Sequence, residues 1–413
     1  MMKINEIIPH LNIISTRKYK DINIYLRFSI NNDIDTLANV SVLTKLLDEY
    51  SNKYPTKLLM TKAKDMLYGF NCSSQIKNRG NLLTLGINMS FINPKFLNTN
   101  INEYLQFIDE ILFNCYFNET LVNEAKRIVS SILLRSLEKP EVLASQKVLK
   151  IISKDNKQFK YLLNDDTYLK AINNVTVNSV LNVYKKLLSK AQLEVYLVGD
   201  LDIALINYFK KYNYSNKCNL KYLKCNYLYR NKVVEKKDIS QSYLSVLYKT
   251  PYNRNHSDFY AFVLGNAFLG IYPTSLLFNE IRENMSLCYN VSVLDYKNYG
   301  LVKINTSIDG KNMNVVIKEI DKQINRLINK DYDIKQFERT KKLFINTLIS
   351  IDDDLLALIE YDLETKLSKN IVSIKEYCNG IRSVTVDDIA RVFKNYKPYF
   401  VYMLKGTSHE EVL

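Results

Sequence analysis

An arginine and a tyrosine, Arg282 and Tyr289, stand seven residues apart where the pattern of the chain changes. Apolar residues at helical spacing from Leu276 predict a helix that ends at Asn284. The residues from Ser286 alternate, which predicts a strand. The side chains expected on one face of that strand are those of Leu287, Tyr289, Val291 and Val293. A helix end followed by a strand start can aim Arg282 and Tyr289 at one point.

The chemistry of this pair suits the binding of a peptide. The guanidinium of Arg282 offers a planar fork of donors, and the phenol of Tyr289 can donate at neutral pH. Such donors can hold a peptide carbonyl or stabilise a developing oxyanion. On spacing alone, an ordinary surface arginine and a half-buried tyrosine are the more common explanation of this pair.

Composition and charge narrow the class of protein. An apolar content of 47% with 24% charged residues is typical of a globular chain, and 413 residues suit two or more domains. The net charge of +14 comes from scattered lysines rather than from a basic run, which favours a solvated surface over nucleic-acid binding. The alternative explanation of this charge is a positive surface that steers acidic peptides.

Cysteine usage and hydropathy point to a soluble protein of the cytoplasm. The six cysteines are widely spaced without a CxxC pair, which fits a reducing compartment. No run of about 18 apolar residues occurs, so no membrane span is expected.

Three pairs of similar segments occur in the same order in the two halves of the chain. The pairs are Ile22–Ile30 with Gln241–Lys249, Asn174–Lys185 with Ser383–Lys394, and Val195–Gly199 with Val401–Gly406. This recurrence predicts a duplication. The predicted fold is α+β, with two homologous α/β-sandwich domains in which an antiparallel sheet packs on helices. The expected boundaries are 1–212, a linker at 213–236, and 237–413.

With the duplication and the Arg282 stretch in hand, the sequence resembles the insulinase/pitrilysin family of zinc peptidases. The residues that carry the resemblance are LFNEIRENMSLCY from Leu277, VYLVGDLD from Val195, and the KYP at Lys53–Pro55 after the first helix, which is expected over Thr36–Tyr50. It is most similar to the short two-domain chains that pair, as in the mitochondrial processing peptidase. The resemblance implies that each chain forms half of a clamshell around a chamber.

The residues that bind zinc in this family are replaced here. The family's His-x-x-Glu-His motif falls on Ser41, Thr44 and Lys45, and its third ligand, a glutamate, falls on Ser131. Hydroxyl groups are poor zinc ligands, and a lysine ammonium puts a cation where a dication should lie. We therefore expect no cofactor on this chain and no independent peptidase activity.

By the same resemblance, Arg282 and Tyr289 match residues that reach across to the substrate. The implied function is that of an accessory subunit of a heterodimeric zinc peptidase. A homologous partner with an intact His-x-x-Glu-His would supply zinc, and Arg282 and Tyr289 would contact the substrate in trans. The expected substrates are short or unstructured peptides, such as bacteriocin or other precursor leaders. Asn71 and Cys72, at the start of the family's substrate-pairing strand, are candidate substrate-binding residues.

The alternative function is a peptide-binding or scaffold protein of the same fold that takes no part in cleavage. An ordinary loop that enters a strand is likewise the alternative for Asn71 and Cys72.

Overall fold

The computed structural model describes residues 3–97, 99–154, 156–212, 216–223, 225 and 232–407. The described strands are β1 Asn5–Ile8, β2 Leu11–Ser15, β3 Asp21–Asn31, β4 Asn71–Arg79, β5 Leu82–Ile92, β6 Gln192–Gly199, β7 Val233–Lys237, β8 Ser242–Lys249, β9 Cys288–Tyr296, β10 Leu301–Ile308 and β11 Lys397–Gly406. The described α-helices are α1 Ile34–Leu43, α2 Lys57–Met66, α3 Ile101–Phe113, α4 Glu119–Glu138, α5 Pro140–Ser153, α6 Asp166–Asn173, α7 Val177–Lys190, α8 Ile203–Lys210, α9 Phe259–Gly270, α10 Met313–Asn329, α11 Ile334–Ser350, α12 Leu355–Leu367, α13 Ile374–Ser383 and α14 Val386–Phe393.

The chain forms two compact units. The first comprises residues 1–135 and 161–220, and the second comprises 136–160 and 221–413. Residues 136–160, which the sequence places in the first domain, thus belong to the second unit with α5. Residues 213–215, 224 and 226–231 of the expected linker lie outside the described residues. Residues 233–236 of the same segment form most of β7.

The first unit contains a sheet with the strand order β1-β2-β6-β3-β5-β4. Its pairings are antiparallel except for β2 with β6. The alternation from Ile22 to Ile30 matches β3, which is buried along most of its length. An aromatic cluster of Phe70, Phe91, Tyr104 and Phe107 packs within this unit, with ring centroids 4.4–6.5 Å apart.

The second unit repeats this arrangement. Its sheet has the order β7-β11-β8-β10-β9, in which only the pairing of β7 with β11 is parallel. This order corresponds strand by strand to β2-β6-β3-β5-β4, which confirms the internal repeat. Two sheets, each packed on helices, confirm the predicted α+β class of two homologous sandwiches.

The repeated sequence NVTV/SVTV produces the same local structure in both units. Thr176 and Thr385 are the N-caps of α7 and α14, and each hydroxyl accepts a hydrogen bond from the backbone N–H three residues on. The side chains of Ser179 and Asp388 in turn accept a hydrogen bond from the backbone N–H of the cap residue. A capping box of this kind fixes where each helix begins.

The first helix is shorter than the sequence predicts. We expected it over Thr36–Tyr50, but α1 ends at Leu43 and turns follow. Here Lys45 N–H donates to Val42 O and Leu46 N–H to Leu43 O, three residues back. The hydroxyl of Thr44 also donates to Ser41 O at 2.7 Å, and side-chain bonds of this kind compete with the helical ladder.

None of the described helices is long and apolar enough to cross a bilayer.

Candidate functional site

Arg282 lies in a π-helical turn, Phe278–Asn284. The i→i+5 bond of this turn is donated by Met285 N–H to Glu280 O at 3.0 Å. Ser286 then adopts a left-handed φ of 53°, which ends the helical path and starts the approach to β9. π-helical turns are rare and frequently occur at functional sites. The predicted helix is thus present, but it is wider than an α-helix where the arginine projects.

The guanidinium of Arg282 lies at the surface of the second unit. Its Cζ lies 4.6 Å from the centre of the Phe278 ring, and its Nε lies 3.6 Å from Glu283 Oε1. The side chain retains 44% of its accessible surface. The opposite side of the turn is anchored by Ile281, which is fully buried. The turn therefore holds a cation at the surface on a fixed base.

A β-bulge turns Tyr289 out of the sheet's core face. Ser307 pairs with Asn290, whereas the next residue, Ile308, pairs with Cys288, so Tyr289 is the extra residue on β9. Its side chain is 73% exposed, whereas Cys288, Val291 and Val293 are buried. The expectation that Tyr289 shares a face with Val291 and Val293 is wrong, because the bulge shifts the alternation by one residue.

Arg282 and Tyr289 flank the buried thiol of Cys288. Burial raises the pKa of Cys288, and the nearby guanidinium of Arg282 opposes that rise. The π-helical turn and the bulge therefore bring the two predicted side chains to the same end of β9, both exposed. Neither Arg282 nor Tyr289 is therefore buried within the second unit.

The positions that match the zinc motif are occupied by internal hydrogen bonds. Ser41 Oγ donates to Leu37 O at 2.7 Å and lies 2.6 Å from Tyr168 Oη on α6. Thr44 bonds to the helix backbone, and Ser41 and Thr44 are both buried. Lys45 lies beyond the end of α1. These residues do not fit a zinc ion, since the hydroxyls have other partners and a tyrosine ring occupies the adjacent space.

The fourth position of the family's metal site is also polar and unsuited to zinc. Ser131 is exposed on α4. Glu124, about two turns earlier on the same helix, pairs with Lys57 on α2 at 3.2 Å. Among the described residues, no three His, Cys, Asp or Glu side chains cluster in a way that could hold a metal ion.

Asn71 and Cys72 begin β4, which is the last strand of the first sheet and pairs with β5 alone within it. Asn71 is exposed, whereas the Cys72 side chain is buried in the core, which raises the pKa of its thiol. At this edge the backbone of β4, together with the side chain of Asn71, is the part that a peptide could contact.

A cavity beside Tyr289 could not be found from the sequence. It has a volume of about 530 Å³ and lies where β8 begins and β10 and β11 end. Lys311 and Lys405 contribute to its lining together with Tyr289. Tyr289 and Lys405 lie far apart in the sequence, so no local motif marks the cavity.

Comparisons with known proteins agree with the geometry. Residues 174–344 match the family described as "Peptidase M16 inactive domain". The chain is 22% identical over 413 residues to the "Probable inactive metalloprotease YmfF" of Bacillus subtilis (strain 168), covering 96% of this chain and 95% of that one.

Solved structures share the fold along almost the whole chain. A conserved protein from Enterococcus faecalis V583 has a TM-score of 0.87 at 22% identity, and 99% of each chain is covered. A peptidase M16 inactive domain from Pseudomonas fluorescens has a TM-score of 0.77 at 13% identity, with 98% of each chain covered.

Fold and site together define a protein built like a peptidase in which the positions of the metal ligands hold other side chains. The chain is similar to the M16 peptidases: residues 174–344 match their inactive-domain family, and the whole chain is similar to a relative named as a probable inactive metalloprotease. The resemblance to the insulinase/pitrilysin family is thereby confirmed.

Proposed function

We propose that this protein is the accessory subunit of a heterodimeric zinc peptidase that cleaves short or unstructured peptides. A homologous partner with an intact His-x-x-Glu-His supplies the zinc, the attacking water and the glutamate base. This chain supplies Arg282 and Tyr289, which contact the substrate held by the partner.

The observation that carries the proposal is the exposure of both side chains. A chain that has replaced its zinc ligands still presents Arg282 at 44% and Tyr289 at 73% of their accessible surface, from a π-helical turn and a bulge. π-helical turns frequently occur at functional sites, and β-bulges are over-represented beside active sites, where they re-aim side chains. A guanidinium and a phenol at such positions suit a substrate carbonyl and its oxyanion.

The first unit would contribute to binding through β4. The outer edge of this strand, which pairs only with β5 among the described strands, can pair with an extended peptide by backbone hydrogen bonds, and Asn71 lies where such pairing would begin. Cys72 would act through its backbone, because its thiol faces the core. Precursor leaders, such as those of bacteriocins, are the kind of unstructured peptide that meets this requirement.

Reconstitution from separate chains tests the proposal. This chain, the active homologue and an equimolar mixture are each incubated with a quenched fluorescent peptide library and with zinc. We expect hydrolysis from the mixture and little from either chain alone, and co-elution of the two chains on size exclusion. If the homologue alone cleaves as fast as the mixture, the chain is a peptide-binding or scaffold protein instead.

A further inference from the structure

The two residues that flank Tyr289 on β9 are both held by the neighbouring strand β10. Asn290 follows the tyrosine, and its backbone oxygen accepts a hydrogen bond from Thr306 Oγ1 at 2.7 Å. Cys288 precedes the tyrosine, and its side chain makes a hydrogen bond with the same hydroxyl. Thr306 is itself buried. One buried side chain therefore ties down the chain on each side of Tyr289.

The side chain of Asn290 makes a second pair of bonds across the bulge. Its Oδ1 accepts a hydrogen bond from the backbone N–H of Ser307 at 3.1 Å and another from Ser307 Oγ at 2.8 Å. A backbone N–H can only donate, so the atom that it meets must be the amide oxygen and not the amide nitrogen. Ser307 is buried, and it is the last residue of β10 before the pairing with β9 shifts. Asn290 is thus anchored at the point where the β-bulge forms.

Asn290 lies at the surface although it has these anchors. The residue is exposed, and no described residue bonds to its Nδ2. Its substitution should therefore leave the core of the second unit folded. The exposed amide nitrogen could also contact a substrate directly, and a substitution that keeps the oxygen but removes the nitrogen separates the two roles.

We propose that Asn290 is the positioning residue of Tyr289. Its two oxygens fix the β-bulge, and the bulge aims the phenol at the substrate that the partner holds. The proposal rests on the proposed function for one point, the contact of Tyr289 with that substrate. A phenol that stabilises an oxyanion acts in the transition state. Loss of its position should therefore lower kcat and leave KM nearly unchanged.

Amide hydrogen exchange of this chain alone tests the positioning role without any cleavage. Asn290→Ala removes the acceptor of the Ser307 N–H, and we expect that amide to exchange about 10-fold faster than in the wild type. Asn290→Asp keeps an oxygen in place of Oδ1, so the same amide should exchange within about 2-fold of the wild type. Ser292→Ala, at an exposed serine further along β9, is the control and should exchange as the wild type does.

Kinetics of the reconstituted pair test what this position does for the reaction. We expect kcat to fall about 5-fold for Asn290→Ala, with KM unchanged. Asn290→Asp should retain kcat within about 2-fold of the wild type, because positioning needs the oxygen and not the nitrogen. In the Tyr289→Phe background, Asn290→Ala should lower kcat by less than about 2-fold, because the residue acts through the phenol.

The proposal is overturned if Asn290→Ala leaves the exchange of the Ser307 amide unchanged, or if it lowers kcat equally with and without Tyr289→Phe. It is also overturned if Asn290→Asp loses as much activity as Asn290→Ala, since that result would assign a direct substrate contact to the amide nitrogen. A pair that cleaves no peptide would overturn the proposed function, and the exchange of the Ser307 amide would still decide whether Asn290 fixes the bulge.

Discussion

Lys303 is a buried lysine, and its burial makes the charged form of the side chain unfavourable. It lies on β10 at 1% exposure, donates from Nζ to Ser145 Oγ on α5 at 2.6 Å, and has its Nζ 5.5 Å from the centre of the Tyr296 ring. Burial lowers its pKa from 10.5 to about 8. A lysine in such a position favours the neutral amine, because the interior solvates an ammonium poorly.

We predict that this lysine makes stability depend on pH. Between about pH 8 and 10.5 the unfolded chain binds a proton that the folded chain has lost, so the free energy of unfolding rises with pH across that range. The rise amounts to about 3 kcal/mol. Urea unfolding of the wild type and of Lys303→Met from pH 7 to pH 10 measures it as the difference between the two curves.

Lys342→Met serves as the control, and it should parallel the wild type at every pH. Parallel curves for Lys303→Met and the wild type would show that Lys303 does not titrate in this range.

The positions that match the family's zinc ligands differ in their contribution to the free energy of unfolding. Ser41→Ala leaves the buried phenol of Tyr168 without its hydrogen-bond partner 2.6 Å away, so we expect a loss of about 1–3 kcal/mol in the free energy of unfolding. Ser131→Ala is the matched control, since Ser131 is exposed on α4 and should change stability by less than about 0.5 kcal/mol. Chemical denaturation compares them, and equal effects would contradict a structural role for Ser41.

At the scale of elements, the correspondence of repeated segments could be predicted where the sequence pattern is local. The segments Ile22–Ile30 and Gln241–Lys249 form matching strands, β3 and β8. The bulge at Tyr289 and the π-helical turn at Arg282 could not be predicted. Each inserts one residue into a regular hydrogen-bond ladder. Where that residue is inserted depends on the partner strand and on the core beneath rather than on the local sequence.

The packing of α9 on β9 fixes the strand that carries Tyr289. Gly270 is buried at the end of α9, and a Cβ there would lie 2.5 Å from Val293 Cγ2. We predict that Gly270→Ala lowers the free energy of unfolding by about 1–3 kcal/mol through overpacking. The double variant Gly270→Ala/Val293→Ala should lose less than the sum of the two single variants, because the residues are coupled.

Thermal and urea unfolding of the four proteins of this cycle measure the coupling. Strict additivity would show that α9 and β9 adjust without strain at this contact.

At the scale of the whole molecule, the duplication could be predicted from sequence, because it rests on repeated segments. The residues at 41, 44, 45 and 131, which match the family's zinc ligands, are read directly from the sequence. The division into units could not be predicted, because residues 136–160 lie within the first half of the sequence but belong to the second unit. The cavity beside Tyr289 could not be predicted either, since its lining comes from the ends of four strands, β8, β9, β10 and β11.

Kinetics of the reconstituted pair test the central claim, that Arg282 and Tyr289 act in catalysis by a partner. Arg282→Ala and Tyr289→Phe are each mixed with the active homologue, with Arg339→Ala, at an exposed position of α11, as the control. We predict that kcat/KM falls about 100-fold for Arg282→Ala and about 10-fold or more for Tyr289→Phe, with pairing unchanged and Arg339→Ala at the wild-type rate. Wild-type kcat/KM in both variants would contradict the claim.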